Sequence, residues 1–176
     1  NALPSIVLTG LPGDVVKESR ERIRACLAAL GFQVPSARIV IHLSPASSKK
    51  QGSQLDLAIA VAFLRAEGMI KPHLPIDKIG FLGELSIDGR IRGIQNGLPL
   101  GHVLVQDRRV DHLIVPMENV EEFSLLRSGK VIALSNLTEL LNWLKSGDLP
   151  APVSVPLSLR PQLEMKPDLD LVHGQP

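Results

Sequence analysis

A mixed α/β fold is predicted for this chain, and three observations predict it. Short β-branched runs alternate with segments whose apolar residues recur at helical spacing. Asp88-Gly89 separates two of the strand-like runs, the strongest short-range signal for an antiparallel hairpin. An apolar content of 44% and a charged content of 21% over 176 residues suit one domain with a real core.

The elements follow in order. Ser5 to Thr9 reads as a strand closed by Gly10-Leu11-Pro12-Gly13. Asp14 is a good N-cap for a helix in which Val16, Ile23, Cys26, Leu27 and Leu30 recur as far as Gly31, a natural C-cap. Ala37 to Leu43 is a strand. Ser53 to Glu67 is a second helix, apolar on most sides through Leu57, Ile59, Ala60, Val61, Phe63 and Leu64 and therefore buried, with Ser53 as its N-cap. Ile79 to Ile87 and Arg90 to Ile94 are the hairpin arms. A helix from about Leu98 to Gln106 comes next, then a strand at Leu113 to Val115 and a short helix at Val120 to Leu126. Val131 to Leu134 is a strand, and Asn136 with Glu139 predicts a capping box before a helix at Leu137 to Lys145. From Gly147 to Pro176 six prolines remove donors and fix φ, so this segment reads as an extended linker. Leu and Val recur there, which leaves open an ordered arm packed on the domain. The folded domain is then residues 3–146.

Composition narrows the function. A net charge of +1 excludes a globally basic surface. Aromatics are 3% of the chain with no Tyr, which argues against a stacking platform for single strands. A lone cysteine, Cys26, excludes an intramolecular disulfide and a multi-cysteine zinc site, and its place on an apolar stripe makes it a core residue. The histidines at 42, 73, 102, 112 and 173 show no metal spacing, and His42 in its apolar strand reads as structural. GxxxxGK[ST] is absent, so nucleotide hydrolysis is not expected. No apolar run approaches the ~20 residues of a membrane span and no signal peptide is visible, so no membrane contact and a cytoplasmic location are expected. Asp56, flanked by Leu55 and Leu57, needs partners or a shifted pKa. Its simpler role is to stabilise the first helical turn; catalysis is the other.

Charge is unevenly distributed. Between Asp14 and Gln54 seven Lys/Arg face three acids, net +4, while the remainder of the chain is net −3. Lys17, Arg20, Arg22 and Arg24 on the first helix form either a solvated, salt-bridged face, with Glu18 and Arg22 at i,i+4, or a phosphate-binding patch. The loop Ser44 to Ser53 leads into a helix N-terminus and carries Lys49 and Lys50; it is either plain solvated loop or an anion site.

Four segments carry a resemblance: GLPGDVVKESRERIRACLAALGF at 10–32, RIVIHLSPASSKKQGSQLDLAIAVAFL at 38–64, GELSIDGRIRGIQNGLP at 83–99 and HLIVPMEN at 112–119. Together they resemble the N-terminal domain of the ComM/YifB proteins, magnesium-chelatase-like AAA+ ATPases, and more distantly the C-terminal domain of RadA and the proteolytic domain of Lon. The resemblance implies the Lon-protease/ribosomal S5 domain-2-like α/β fold. It also implies a further strand ahead of Asn1 and an AAA+ module after Pro176, to which LDLVHGQ leads. ATP and Mg²⁺ are expected in that module and no cofactor or metal in this part.

Lon works through a Ser–Lys dyad. Laying KKQGSQLD on the serine motif puts Gln54 at the nucleophile, with Ser53 one position early. Laying RIRGIQNGLP on the lysine motif puts Leu98, or Pro99 with a one-residue shift, at the base; no lysine lies between Lys78 and Lys130. An amide and an aliphatic chain supply neither nucleophile nor base. The resemblance therefore implies a domain that keeps the fold without peptidase chemistry, within a hexameric, ATP-driven branch-migration helicase of natural transformation and recombination. It would serve DNA contact, ring assembly or both, beside its own AAA+ module. Lys17, Arg20, Arg24, Lys49 and Lys50 are the expected DNA contacts, with Arg22 and Arg38 as candidates for structural pairs. A Ser53 peptidase and a magnesium-chelatase subunit are the competing readings.

Overall fold

The computed structural model describes residues 5–9, 13–33, 38–42, 53–128 and 130–148. β1 (Ser5–Thr9) leads into α1 (Gly13–Ala29), which returns to β2 (Arg38–His42). β1 and β2 are parallel, Ser5 opposite Arg38 and Thr9 opposite His42. A short 3₁₀ turn (Ser53–Leu55) precedes α2 (Asp56–Ala66). β3 (Ile79–Phe81), β4 (Glu84–Leu85) and β5 (Ile91–Arg92) follow, then α3 (Gly97–Gln106) and β6 (His112–Pro116). α4 (Val120–Ser124), β7 (Val131–Leu134) and α5 (Leu137–Ser146) complete the described order. The order β3-β6-β7 makes a parallel sheet, and β4 with β5 an antiparallel pair.

The parallel sheet has helices on both faces, and the strand period sets which residues meet them. On β6, Ile114 joins the larger core, while Leu113 and Val115 join a second cluster with Ile94, Val105 and Phe123. The larger core gathers Ile23, Cys26 and Leu27 of α1, the apolar side chains of α2, and Leu137, Leu140, Trp143 and Leu144 of α5. α2 is buried on most sides, as its sequence predicts.

Two expectations are corrected. Ile79 to Ile87 is not one strand. It breaks after Phe81 because Gly83 adopts φ +153°, where a Cβ would lie 2.7 Å from Ile91 Cγ2. The hairpin survives as Glu84 opposite Arg92 and Leu85 opposite Ile91, closed by a longer loop around Asp88-Gly89. Nor does Ser53 cap α2: it opens the 3₁₀ turn, and Leu55 stands at the N-cap with no side-chain bond. The cap of α5 is as expected, Asn136 Oδ1 accepting from the Glu139 amide at 2.9 Å. The Glu139 carboxylate accepts instead from the Ser135 amide, one residue upstream of the usual capping-box partner. The predicted linker beyond Asp148 lies outside the described residues.

Candidate functional site

The Lon-like comparison puts the chemistry where α2 begins and where the hairpin runs into α3, and the structure brings those segments together. Gly83 N–H donates to Gln54 O at 3.0 Å, and Leu57 N–H donates to Gly83 O at 3.1 Å. This clasp fixes the α2 start against the hairpin. Ser53, Gln54, Glu84, Gly93, Ile94 and Gln95 then line a cavity of about 270 Å³.

The far wall of that cavity is held from the 3₁₀ turn Met117–Asn119 and from α4. Glu118 Oε2 accepts from the Gly93 amide at 2.7 Å, and Asn119 Oδ1 accepts from the Ile94 amide at 2.8 Å. Asn119 Nδ2 donates back to Ile94 O at 2.9 Å and to Glu122 Oε2 at 2.8 Å. Glu122 Oε1 accepts from the Leu98 amide at 2.9 Å. Asn96, in the same stretch, sits in the left-handed region at φ 55°, which Asn tolerates better than most residues.

Of the expected dyad positions, Gln54 lines the cavity, while Leu98 is half-buried in α3, Pro99 is exposed, and neither lines it. The two lysines bracketing the stretch are engaged elsewhere. Lys78 Nζ pairs with Asp111 at 3.5 Å, and Lys130 Nζ donates to the Val105 and Asp107 carbonyls at the end of α3. The lining holds one hydroxyl, two carboxamides and one carboxylate. That set forms hydrogen bonds and carries negative charge, but among the described residues it offers no amine or imidazole to take a proton from Ser53.

Asp56 does not face this cavity chemistry as a free carboxylate. It is fully buried, and Arg22 Nε donates to its Oδ2 at 2.9 Å. Arg22 Nη1 also meets Glu18 at 2.7 Å, and Nη2 donates to Ser19 Oγ at 3.2 Å. Burial pushes the Asp56 pKa up; Arg22 and Ser19 pull it part of the way back, leaving it above the ordinary 3.8. The pair ties α1 to α2, so Arg22 is a structural cation. Cys26 is fully buried, its thiol pushed up to about 11 chiefly by burial.

The expected DNA contacts divide. Lys17, Arg20 and Arg24 recur at i, i+3 and i+7 on α1 and form one stripe that borders the buried face, with Arg20 on the flank of Ile23 and Leu27. Lys17 and Arg24 are exposed; Arg20 is half-buried and pairs with Glu21 at 3.0 Å. Lys49, Lys50 and the Arg38 side chain lie outside the described residues. His42 bonds Thr9 Oγ1 at 2.8 Å through Nδ1, across the β1–β2 pair. Sequence reasoning missed a second basic locus: Arg90 and Arg92 line a hollow of about 400 Å³ with Ser135 and Asn136. The alternation Arg-Ile-Arg, which puts both on one strand face, was its signal. Both arginines are paired, with Asp88 at 3.1 Å and Glu118 at 3.0 Å. Among the described residues no group of His, Cys, Asp and Glu could hold a metal ion, and no helix is long and apolar enough to cross a membrane.

With this geometry in place, the comparisons with known proteins are decisive. The sequence profile described as subunit ChlI of Mg-chelatase matches residues 1–119. The chain belongs to that family. An uncharacterised protein of Mycobacterium tuberculosis is 37% identical over 145 residues, 82% of this chain and 28% of that protein. Competence protein ComM of Haemophilus influenzae is 31% identical over 145 residues, with the same coverage of 82% and 28%. A Lon protease of Borrelia duttonii is 28% identical over 125 residues, 66% of this chain and 15% of the protease. The resemblance to ComM/YifB proteins read from the sequence therefore holds, and the Lon-like match agrees with the mixed α/β architecture. The chain spans 28% of the length of the ComM protein it matches.

Proposed function

We propose that this chain is the non-catalytic, Lon-like domain of a ComM-type AAA+ DNA motor, and that it contacts nucleic-acid phosphates through α1. The observation that supports this best is the cavity at the α2 start. On the motif alignment it corresponds to the Lon site with Gln54 at the nucleophile position, and among the described residues no amine lines it. What remains is a rigid shell with a cationic stripe. Lys17, Arg20 and Arg24 project from α1, and Lys49 and Lys50 extend the same cationic segment in sequence. Duplex DNA is held chiefly through phosphates, which need Lys and Arg rather than aromatic rings. One near-neutral copy binds weakly; a hexameric ring, with ATP and Mg²⁺ in a following AAA+ module, adds charges and avidity. Branch migration in recombination or natural transformation is the activity such a ring would serve.

Fluorescence anisotropy with duplex and forked DNA tests the reading. Binding should weaken as salt rises, and Lys17→Glu/Arg24→Glu and Lys49→Glu/Lys50→Glu should each weaken it and flatten the salt dependence. Absence of binding at low salt, even in an assembled ring, removes DNA contact and leaves ring assembly. Digestion of an unfolded substrate, with Ser53→Ala as control, tests the non-catalytic half. Cleavage that depends on Ser53 would overturn it.

A further inference from the structure

The cavity at the start of α2 is rich in acceptors. The Gly93 and Ile94 amides, the donors of its wall, are taken by Glu118 Oε2 at 2.7 Å and Asn119 Oδ1 at 2.8 Å. The Glu84 carboxylate, the Gln54 and Gln95 carboxamides and the Ser53 hydroxyl complete the lining. An ionised carboxylate only accepts, and each of the other three groups brings an oxygen beside its own donor.

Charge points the same way. Glu84 is half-buried, and the ion pairs among the described residues do not include it. Two cations stand near it, and both are committed elsewhere. Arg22 feels the Glu84 charge but gives its nitrogens to Asp56, Glu18 and Ser19. Arg92, directly opposite Glu84 in the β4–β5 register, turns to Glu118 at 3.0 Å. Behind the wall, Glu118 and Glu122 add two further carboxylates. A half-buried carboxylate in such surroundings is stabilised by a cation, and the described lining supplies none.

A planar, donor-rich cation suits this lining best. A guanidinium carries five N–H donors in a fixed fork, takes a carboxylate through two parallel bonds and keeps donors for the carboxamide oxygens. An ammonium is a compact, strongly hydrated charge with three donors, and the cavity would strip its water. Ile94, buried, supplies an apolar wall for the methylene stem that carries such a head group. A cavity of about 270 Å³ holds stem and head with room for water.

We propose, on the non-catalytic reading of this cavity, that it is a receptor for the guanidinium of an arginine side chain, with Glu84 as counter-ion and Gln54 and Gln95 as flanking acceptors.

Titration of the whole 176-residue chain with N-acetyl-arginine amide, followed by nuclear magnetic resonance, tests this. The side-chain amide signals of Gln54 and Gln95 should shift and saturate. The citrulline analogue, similar in shape without the charge, should leave them in place, and the lysine analogue should bind more weakly. Glu84→Gln should weaken binding about tenfold or more, and Gln54→Ala should weaken it less. Among the described residues neither side chain bonds another, so both variants remain folded, which unfolding in urea checks. Unmoved Gln54 and Gln95 signals, an equal response to the citrulline analogue, or binding unchanged by Glu84→Gln overturns the proposal. So does binding that appears only in Lys49→Ala/Lys50→Ala, which would put the chain's own lysine in the site. An arginine inside a glycine pentapeptide that binds more tightly than the derivative assigns the guanidinium to a polypeptide; equal binding assigns it to a small molecule. Cleavage of that pentapeptide that depends on Ser53 would instead remove the non-catalytic reading, whether or not the guanidinium binds.

Discussion

Replacing Arg22 with Ala would leave the Asp56 carboxylate in the core without its cation. Asp56 is fully buried and the Arg22 side chain is 17% exposed, so water cannot take the place of the guanidinium. Removing one partner of a buried pair costs about 3–5 kcal/mol, because the remaining charge stays unsolvated. The accompanying loss of the Glu18 contact adds little, since Glu18 is 75% exposed and such pairs contribute about 0.5 kcal/mol or less. Glu18→Ala is therefore the control. In urea, with a slope of about 2 kcal/mol per molar, Arg22→Ala should unfold about 2 M earlier, read by Trp143, the chain's single tryptophan and a buried one. The pH dependence supplies a second test. The folded pKa of Asp56 lies above its ordinary 3.8, so the folded protein binds this proton more readily than the unfolded chain. Its contribution to stability therefore falls as pH rises from 3.8 through the raised folded value. Without Arg22 that folded value moves higher still, and below it the buried group is neutral. The cost of Arg22→Ala should thus shrink on acidification from pH 7, toward the ~1 kcal/mol of a lost hydrogen bond. Arg22→Met/Asp56→Leu should recover most of the lost stability. A cost under ~1 kcal/mol at pH 7, or one that does not change with pH, would refute the role given to the pair.

Three further outcomes are expected. Gly101→Ala sets a Cβ 2.9 Å from Phe123 Cδ1 where α3 meets α4, and overpacking there should cost about 1–3 kcal/mol in the same urea assay. Asn136→Ala removes the acceptor of the Glu139 amide and should cost about 1 kcal/mol, a few degrees in Tm, whereas Asn136→Asp should cost almost nothing. Cys26 should resist maleimide in the folded protein at neutral pH, its thiol raised to about 11, and react fully once urea unfolds the chain.

What was legible in the sequence is what repeats locally. The period of Leu57, Ile59, Ala60, Val61, Phe63 and Leu64 marked a buried helix, and β7 begins and ends where its apolar run does. Asn136 declared its cap through a spacing of three residues. What was not legible acts at long range. Arg22 and Asp56 stand 34 residues apart, and the preference of a buried carboxylate for one arginine among several leaves no mark in the chain. Glu118 and Asn119 reach 25 residues back to Gly93 and Ile94, with nothing in their own segment to announce it. The break at Gly83 was hidden because Ile79 to Ile87 satisfies strand propensity throughout; it is the approach of Ile91 that makes a straight course impossible. The cavity was half legible: the motif alignment located Gln54, and the helical pattern put Leu98 at the start of α3, but neither told that Leu98 there does not line the cavity.

The grip of Glu118, Asn119 and Glu122 on Gly93, Ile94 and Leu98 has one more consequence. Outline and furnishing of the cavity are supplied by different residues. Backbone amides bonded to Glu118, Asn119 and Glu122 set the contour, while Gln54, Glu84 and Gln95 supply the groups a visitor would touch. A guest therefore meets a wall already in place and loses no affinity to arranging it. Exchanging Gln54 or Gln95 alters what is recognised and leaves the contour standing, whereas exchanging Asn119 collapses the contour without touching a recognition group.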